Sequence, residues 1–185
     1  MLVSDVVLGI DPSKTKMGWG VVMDADGSPG PCGAADLDGS PQATWEAIAA
    51  LDVMLDARAW EPVLVYVEYP FGGRGGGHGI FLSGVAVGLA EMAARRFWPL
   101  AAIDRIGSMS WRPKVGLRNR APAGVGDSRK WLKAADVVEA QRLGFDVPLV
   151  GKRVIRPSDD AADGALIARA AWLDLEAGVA QRLAA

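Results

Sequence analysis

Hydrophobic residues occur along the chain in two patterns, short continuous runs and positions at helical spacing. Together these patterns predict an α/β protein. Short apolar runs predict five strands, at about residues 6–11, 17–24, 32–37, 62–68 and 100–106. Apolar positions at helical spacing predict four helices, from Pro41 to about Ala59, Ile80 to Phe97, Ser128 to Leu143, and onward from Ser158. Ser40, Asp127 and Ser158 precede three of these helices and are the predicted N-caps.

The segments between these elements contain turn-forming residues. Asp24 to Gly27 predicts a hairpin turn, and the glycine-rich stretch from Phe71 to Gly79 predicts a mobile loop. We expect a loop from Ser108 to Gly126 and an irregular stretch from Gly144 to Pro157. In the second strand, glycines at positions 18 and 20 predict close approach of another backbone.

Acidic residues stand at the ends of two predicted strands and on the final helix. Asp11 ends the first strand, Glu68 ends the fourth, and Asp160 and Asp163 are three residues apart on one helix face. Each has a simpler explanation, because Asp11 could cap a loop and acids near a helix start complement its dipole. Strand ends in an α/β sheet converge at one edge, however, so these four carboxylates are expected to meet.

Four neighbouring carboxylates repel each other unless they are protonated or bound to metal. Ligands that are all oxygen favour Mg²⁺ or Mn²⁺ over zinc. Two such ions, roughly 4 Å apart, can activate water and stabilise the leaving oxygen in phosphodiester cleavage.

Composition and charge point to a globular protein with one basic surface. The chain has 185 residues, half of them hydrophobic, and we expect one domain. Its net charge is −2, yet the stretch from Arg105 to Lys133 holds eight basic residues and one acidic residue, Asp127. A basic stretch in an otherwise acidic chain favours a directed surface for a polyanion, and a solvated arginine-rich loop is the alternative.

The single cysteine excludes an internal disulfide and is typical of a reducing cytoplasm. No apolar stretch is long enough to span a membrane, and the N-terminus lacks the pattern of a signal peptide. We therefore expect a cytoplasmic protein, in a bacterial cell or a phage-infected host.

The acidic motifs resemble those of the RuvC family of Holliday-junction resolvases, within the RNase H-like superfamily. The resemblance lies in Val7–Ser13 with Gly18–Val22, in Val65–Glu68 and in Asp160–Leu166, in that order and spacing. Trp111–Leu117 and the lysine-rich helix after it are similar to phage and phage-like members.

The resemblance implies an RNase H-like α/β fold, with a five-stranded mixed sheet whose first three strands are antiparallel, flanked by helices. It implies one nuclease domain over residues 1–185, and a homodimer packed through the helix after Glu68. Its implied partner is branched DNA, namely four-way junctions and, as open alternatives, three-way forks and flaps.

The resemblance also implies site residues. Asp11, Glu68, Asp160 and Asp163 would ligate two Mg²⁺ ions, for which Mn²⁺ would substitute, in a hydrolysis that leaves a 5′-phosphate and a 3′-hydroxyl. Lys130 would assist at the scissile region. The implied DNA-binding residues are Phe71, Arg74, Arg112, Lys114, Arg118, Arg120, Arg129, Lys130 and Lys133. Gly164 departs from the family's usual alanine, which should loosen the last helix slightly.

Other functions remain open at the level of sequence. Another RNase H-like nuclease, acting on RNA–DNA hybrids or ribosomal RNA precursors, would share the four acids. A non-catalytic DNA-binding descendant would have no need of all four. An actin-like or sugar-kinase-like nucleotide-binding protein would use the first strand for phosphate, but it needs two such domains and a second phosphate motif.

Overall fold

The structure of the chain is a computed structural model that describes residues 4–69, 77–151 and 155–183. Seven strands and five helices occur in these ranges. The strands are β1 (Ser4–Pro12), β2 (Lys16–Met23), β3 (Pro29–Asp36), β4 (Trp60–Tyr69), β5 (Ala102–Gly107), β6 (Leu149–Val150) and β7 (Arg156–Pro157). The helices are α1 (Pro41–Asp56), α2 (Gly77–Phe97), α3 (Ser108–Lys114), α4 (Ser128–Arg142) and α5 (Asp159–Leu183).

The first five strands form one mixed sheet in the order β3-β2-β1-β4-β5. The first three strands are antiparallel, while β1 pairs with β4 and β4 with β5 in parallel. This confirms the five-stranded mixed sheet flanked by helices that the family resemblance implied. Because β1 and β4 are parallel neighbours at the centre, their carboxyl ends lie side by side at one edge.

Helices cover both faces of the sheet. On one face α1 and α2 pack together around Leu8, Ile10 and Val65, which are fully buried. On the other face α5 lies across β1 and β2, and α3 and α4 pack against α5. Burial on both faces explains why the central strands are nearly continuous apolar runs.

Glycines allow α5 to lie directly on the strand backbones. A Cβ atom at Gly18 would be 1.9 Å from the carbonyl oxygen of Asp160, and one at Gly164 would be 2.4 Å from the backbone of Trp19. The predicted close approach is therefore confirmed at Gly18. Gly164, whatever its cost in helix propensity, is required by this contact, which holds the first turns of α5 over β2.

The predicted N-caps are confirmed. Ser40 accepts a hydrogen bond from the amide of Ala43, and Asp127 accepts one from the amide of Lys130. Ser158 Oγ accepts a bond of 3.2 Å from the amide of Ala161. These bonds satisfy amides that the first turn of a helix leaves free.

Three segments differ from the sequence prediction. Helix α3 begins in the predicted loop at Ser108, α2 begins at Gly77 inside the predicted glycine loop, and β6 and β7 form a short hairpin in the predicted irregular stretch. Pro113 suggested a loop because proline cannot donate the helical bond to Met109. The freed carbonyl of Met109 instead accepts a bond of 3.0 Å from Asn119 Nδ2, so α3 tolerates the proline.

None of the helices within the described ranges combines the length and apolar character needed to cross a membrane.

Candidate active site

Two acids lie side by side where the central parallel strands end. The register pairs Ile10 of β1 with Val67 of β4, and Asp11 and Glu68 are the next residue of each strand. Helix α5 brings Asp163 to the same place, because the glycine contacts hold its first turns against β2. The three carboxylates line one cavity of about 500 Å³.

Helices α3 and α4 close the other side of this cavity. Trp111 and Arg112 of α3 and Lys133 and Asp136 of α4 contribute to its lining. Trp111 is 1% exposed and forms part of the hydrophobic core beneath α5. The cavity thus has a fixed apolar base and a polar, charged wall.

The ammonium group of Lys133 neutralises part of the acidic cluster. Its Nζ forms an ion pair with Asp163 Oδ2, and the Lys133 side chain is only 25% exposed. Burial alone would lower the pKa of Lys133, but the carboxylates of Asp163 and Asp11 outweigh that effect and raise the pKa. Lys133 therefore stays charged over the whole physiological pH range.

Burial and mutual repulsion change the acidity of the carboxyl groups. Loss of solvation, followed by the charge of Asp11, raises the pKa of Glu68 to about 8. Loss of solvation also raises the pKa of Asp11 and of Asp163, against the opposing effect of Lys133. These groups hold protons more tightly than free carboxylic acids do, as expected of a cluster short of positive charge.

Unpaired polar atoms concentrate around this cavity. Among the described residues, four buried side-chain polar atoms lack a hydrogen-bond partner, and three of them, Trp111 Nε1, Asp136 Oδ1 and Asp163 Oδ1, belong to residues that line it. Buried polar groups are normally bonded. The cavity is therefore suited to a polar or charged occupant that would satisfy them.

The donor set suits a hard divalent cation, because it consists of carboxylate oxygens. As the side chains stand, however, no group of three or more His, Cys, Asp or Glu residues within the described part of the chain could hold a metal ion. At Asp163, one carboxylate oxygen, Oδ2, is already paired with the ammonium group of Lys133. The other oxygen, Oδ1, has no hydrogen-bond partner among the described residues.

Asp160 lies outside the cavity lining. Its Oδ2 is 3.2 Å from Nζ of Lys16 on β2, although it is close enough to Asp11 to raise the pKa of that residue, after the larger effect of burial. Of the four predicted metal ligands, the structure brings three into one cavity and places the fourth at its edge.

Asp136 is a fifth acid at the site that sequence reasoning missed. It is fully buried, and its Oδ2 accepts a hydrogen bond of 2.6 Å from Nη1 of Arg112. Nε of Arg112 donates to the carbonyl of Arg118, so the pair ties α3, the segment after it and α4 together. The spacing of Lys133, Asp136 and Ala140 could have indicated this acid in the sequence, because it places all three on one face of α4. That face turns toward the core.

The basic residues between positions 105 and 133 divide into two groups. Four form ion pairs within the protein, namely Arg105 with Glu91, Arg112 with Asp136, Lys114 with Asp174 and Lys133 with Asp163. The other four are exposed, namely Arg118, Arg120, Arg129 and Lys130.

Some of the predicted DNA contacts are poorly placed for that role. Arg112 is 7% exposed and thus has little surface to offer DNA, and Lys114 does not line the cavity. Phe71 and Arg74, two other predicted DNA contacts, lie outside the described residues.

Comparison with known proteins identifies the fold. No family model and no curated protein matches the chain. The solved structures that match include Thermus thermophilus RuvC in complex with a Holliday junction substrate, at 21% identity and a TM-score of 0.63. They also include Thermus thermophilus RuvC, at 25% identity and a TM-score of 0.58, and each match covers 94% of this chain and 96% of the other. Over nearly its whole length, this chain therefore has a RuvC-like fold.

Proposed function

We propose that this chain is a divalent-metal-dependent endonuclease, folded as one domain, that cuts branched DNA at Holliday junctions. The observation that carries the proposal is the convergence of Asp11, Glu68 and Asp163 on one cavity of a RuvC-like fold. The matched structure in complex with a Holliday junction supports the choice of substrate. Exposed cations beside the cavity, Arg129 and Lys130, are suited to the phosphate backbone.

Asp11, Glu68 and Asp163, with Asp160 at the edge, would hold two Mg²⁺ ions, or Mn²⁺ in their place. Bound ions of this kind activate water and stabilise the leaving oxygen, and the products would be a 5′-phosphate and a 3′-hydroxyl. Lys133, which pairs with Asp163 in the cavity wall, would supply positive charge for a substrate phosphate once bound metal shares the charge of Asp163. Lys130, in the first turn of α4, would contact the backbone next to the cut.

The test is cleavage of labelled four-way, three-way, flap and linear DNAs, with and without Mg²⁺. Asp11→Asn should abolish cutting of four-way junctions while leaving binding within about threefold, because the carboxylate acts on the reaction rather than on the DNA surface. Asp5→Asn, at the exposed opposite end of the same strand, is the matched control and should cut normally. Cutting of linear DNA or RNA–DNA hybrid in preference to junctions would instead indicate a different RNase H-like nuclease.

We also propose that the chain forms a homodimer through α2. Phe81, Val85 and Met92 are 65%, 41% and 63% exposed and follow one face of the helix. A Cβ atom at Gly84 or Gly88 would meet nothing within 4 Å, so this face is open to a second helix. Met92→Glu should shift the sedimentation coefficient from dimer to monomer. An unchanged dimer in this variant would place the interface elsewhere.

A further inference from the structure

A second cavity, of about 570 Å³, adjoins the catalytic one. It lies between α4 and the segment where β7 leads into α5. Arg129 and Lys133 line both cavities, so the two share a wall. The size is within the ordinary range for small-ligand pockets.

The inner surface of this second cavity is largely aliphatic. Ala134, Val137 and Val138 of α4 face Pro157 of β7 across it. Val138 is 63% exposed, so its side chain adds accessible apolar surface to this wall. An apolar surface beside a polar catalytic cavity can take the face of a planar ring.

The rim of the second cavity is predominantly basic. Arg129 and Lys130 approach from α4, and Arg156 approaches from β7. Two acids, Asp127 and Asp159, also line it, but Asp127 is engaged in capping the amide of Lys130. Asp159 lies in the first turn of α5, where a carboxylate complements the helix dipole. Cations thus remain available for phosphate groups.

We propose that this second cavity receives a single DNA base, unstacked from the strand that enters the catalytic cavity. The aliphatic surface takes the base, and Arg129, Lys130 and Arg156 take the phosphates on either side of it. The inference rests on the proposed function, because the adjoining cavity supplies the strand. The cavity would add a nucleotide contact next to the cut. DNA in which a base can leave the stack would therefore bind more tightly than DNA in which it cannot.

The experiment removes the base and the aliphatic surface separately. Four-way junctions carrying one abasic site, moved through the positions around the crossover, are titrated with the protein in the absence of divalent cations. Ala134→Gln/Val138→Gln makes the surface polar without changing charge or helix propensity greatly. Ala50→Gln/Val53→Gln is the matched control on α1, where Val53 is 67% exposed.

At one position, loss of the base should weaken binding about tenfold in the wild type and the α1 control, a change of about 1.4 kcal/mol. In Ala134→Gln/Val138→Gln the same abasic site should change affinity less than twofold. The proposal is wrong if an abasic site weakens binding equally in all three proteins, or if it weakens binding at no position. If four-way junctions bind no better than linear duplex, the proposed function fails. In that case the three proteins are compared for binding to single-stranded oligothymidylate, intact or with one abasic site. A penalty that is lost only in Ala134→Gln/Val138→Gln would support the base pocket independently of the proposed function, and equal penalties would overturn it.

Discussion

At the scale of single residues, Lys133 partly neutralises the carboxylates of the active-site cavity. Lys133 pairs with Asp163 and lies near Asp11, Glu68 and Asp136. Buried acids without a counterion are costly, so one ammonium group lowers the free energy of the folded protein. A divalent cation would neutralise the same carboxylates, so Lys133 and a metal ion compete electrostatically for this cluster.

This competition predicts the response of a lysine variant to metal. Lys133→Met should lower the melting temperature in the absence of divalent cations, because the acids lose their counterion. Addition of Mg²⁺ should then raise it by roughly 3 °C more than in the wild type, since no ammonium charge repels the ion or neutralises the acids. Lys114→Met, which breaks an ion pair with Asp174 outside the cavity, is the control and should respond to Mg²⁺ as the wild type does. Equal metal responses in all three proteins would separate Lys133 from the metal site.

Glu68 predicts a pH dependence of stability. Its pKa is raised to about 8 in the folded protein from the ordinary value of 4.5, so the folded state keeps a proton that the unfolded chain has lost between these values. Stability is therefore highest below pH 4.5 with respect to this group, and it falls as the pH rises through about 8.

Glu68→Gln should remove this dependence. In urea denaturation without divalent cations, the wild type should lose on the order of 2 kcal/mol more than Glu68→Gln between pH 5 and pH 8. Glu61→Gln, at the exposed start of the same strand, should follow the wild type. Parallel pH curves for wild type and Glu68→Gln would mean that Glu68 ionises normally.

At the scale of elements, the contact between α5 and the sheet positions the third acid. Gly18 faces the backbone of Asp160 too closely for any side chain, so Gly18→Ala must push the first turn of α5 outward. We expect a loss of about 2 kcal/mol in the free energy of unfolding, with a larger proportional loss of cleavage. Gly178→Ala, in the same helix with nothing within 4 Å of the new Cβ, should instead stabilise by up to about 1 kcal/mol. Normal stability in Gly18→Ala would show that α5 does not depend on this contact.

At the scale of the whole molecule, the basic stretch serves two purposes. Its internal ion pairs, such as Arg112 with Asp136, fix α3 and α4 around the cavity. Two of its exposed cations are available to a polyanion near that cavity, because Arg129 lines it and Lys130 lines the adjoining one. In the absence of divalent cations, the second group should account for most of the salt dependence of DNA binding.

Arg129→Ala/Lys130→Ala should therefore weaken binding to all branched DNAs and reduce the slope of log affinity against log salt by about 2, roughly 0.9 for each lost phosphate contact. Arg95→Ala/Arg96→Ala removes two adjacent exposed cations at the end of α2 and should leave the slope unchanged. Equal slopes for the two double variants would remove the start of α4 from the DNA surface.

The sequence by itself determined the five main strands, the helix caps and the close approach at Gly18 and Gly20. These follow from local rules, since apolar spacing, Ser and Asp caps and glycine act through neighbours along the chain. It also marked Asp11 and Glu68, because strand ends of a parallel pair must meet. It missed α3, since Pro113 is tolerated only through Asn119, six residues farther along the chain.

Only the tertiary structure decided which charged residues form the active site and which remain on the surface. Whether a basic side chain faces solvent or pairs with a buried acid depends on which helices pack together. The local sequence pattern does not predict this packing. Packing of α4 against α5 placed Lys133 on Asp163 and buried Asp136 beside the acids, while the contact of α5 with β2 left Asp160 with Lys16. Long-range packing thus chose which charges form the site and which remain at the surface.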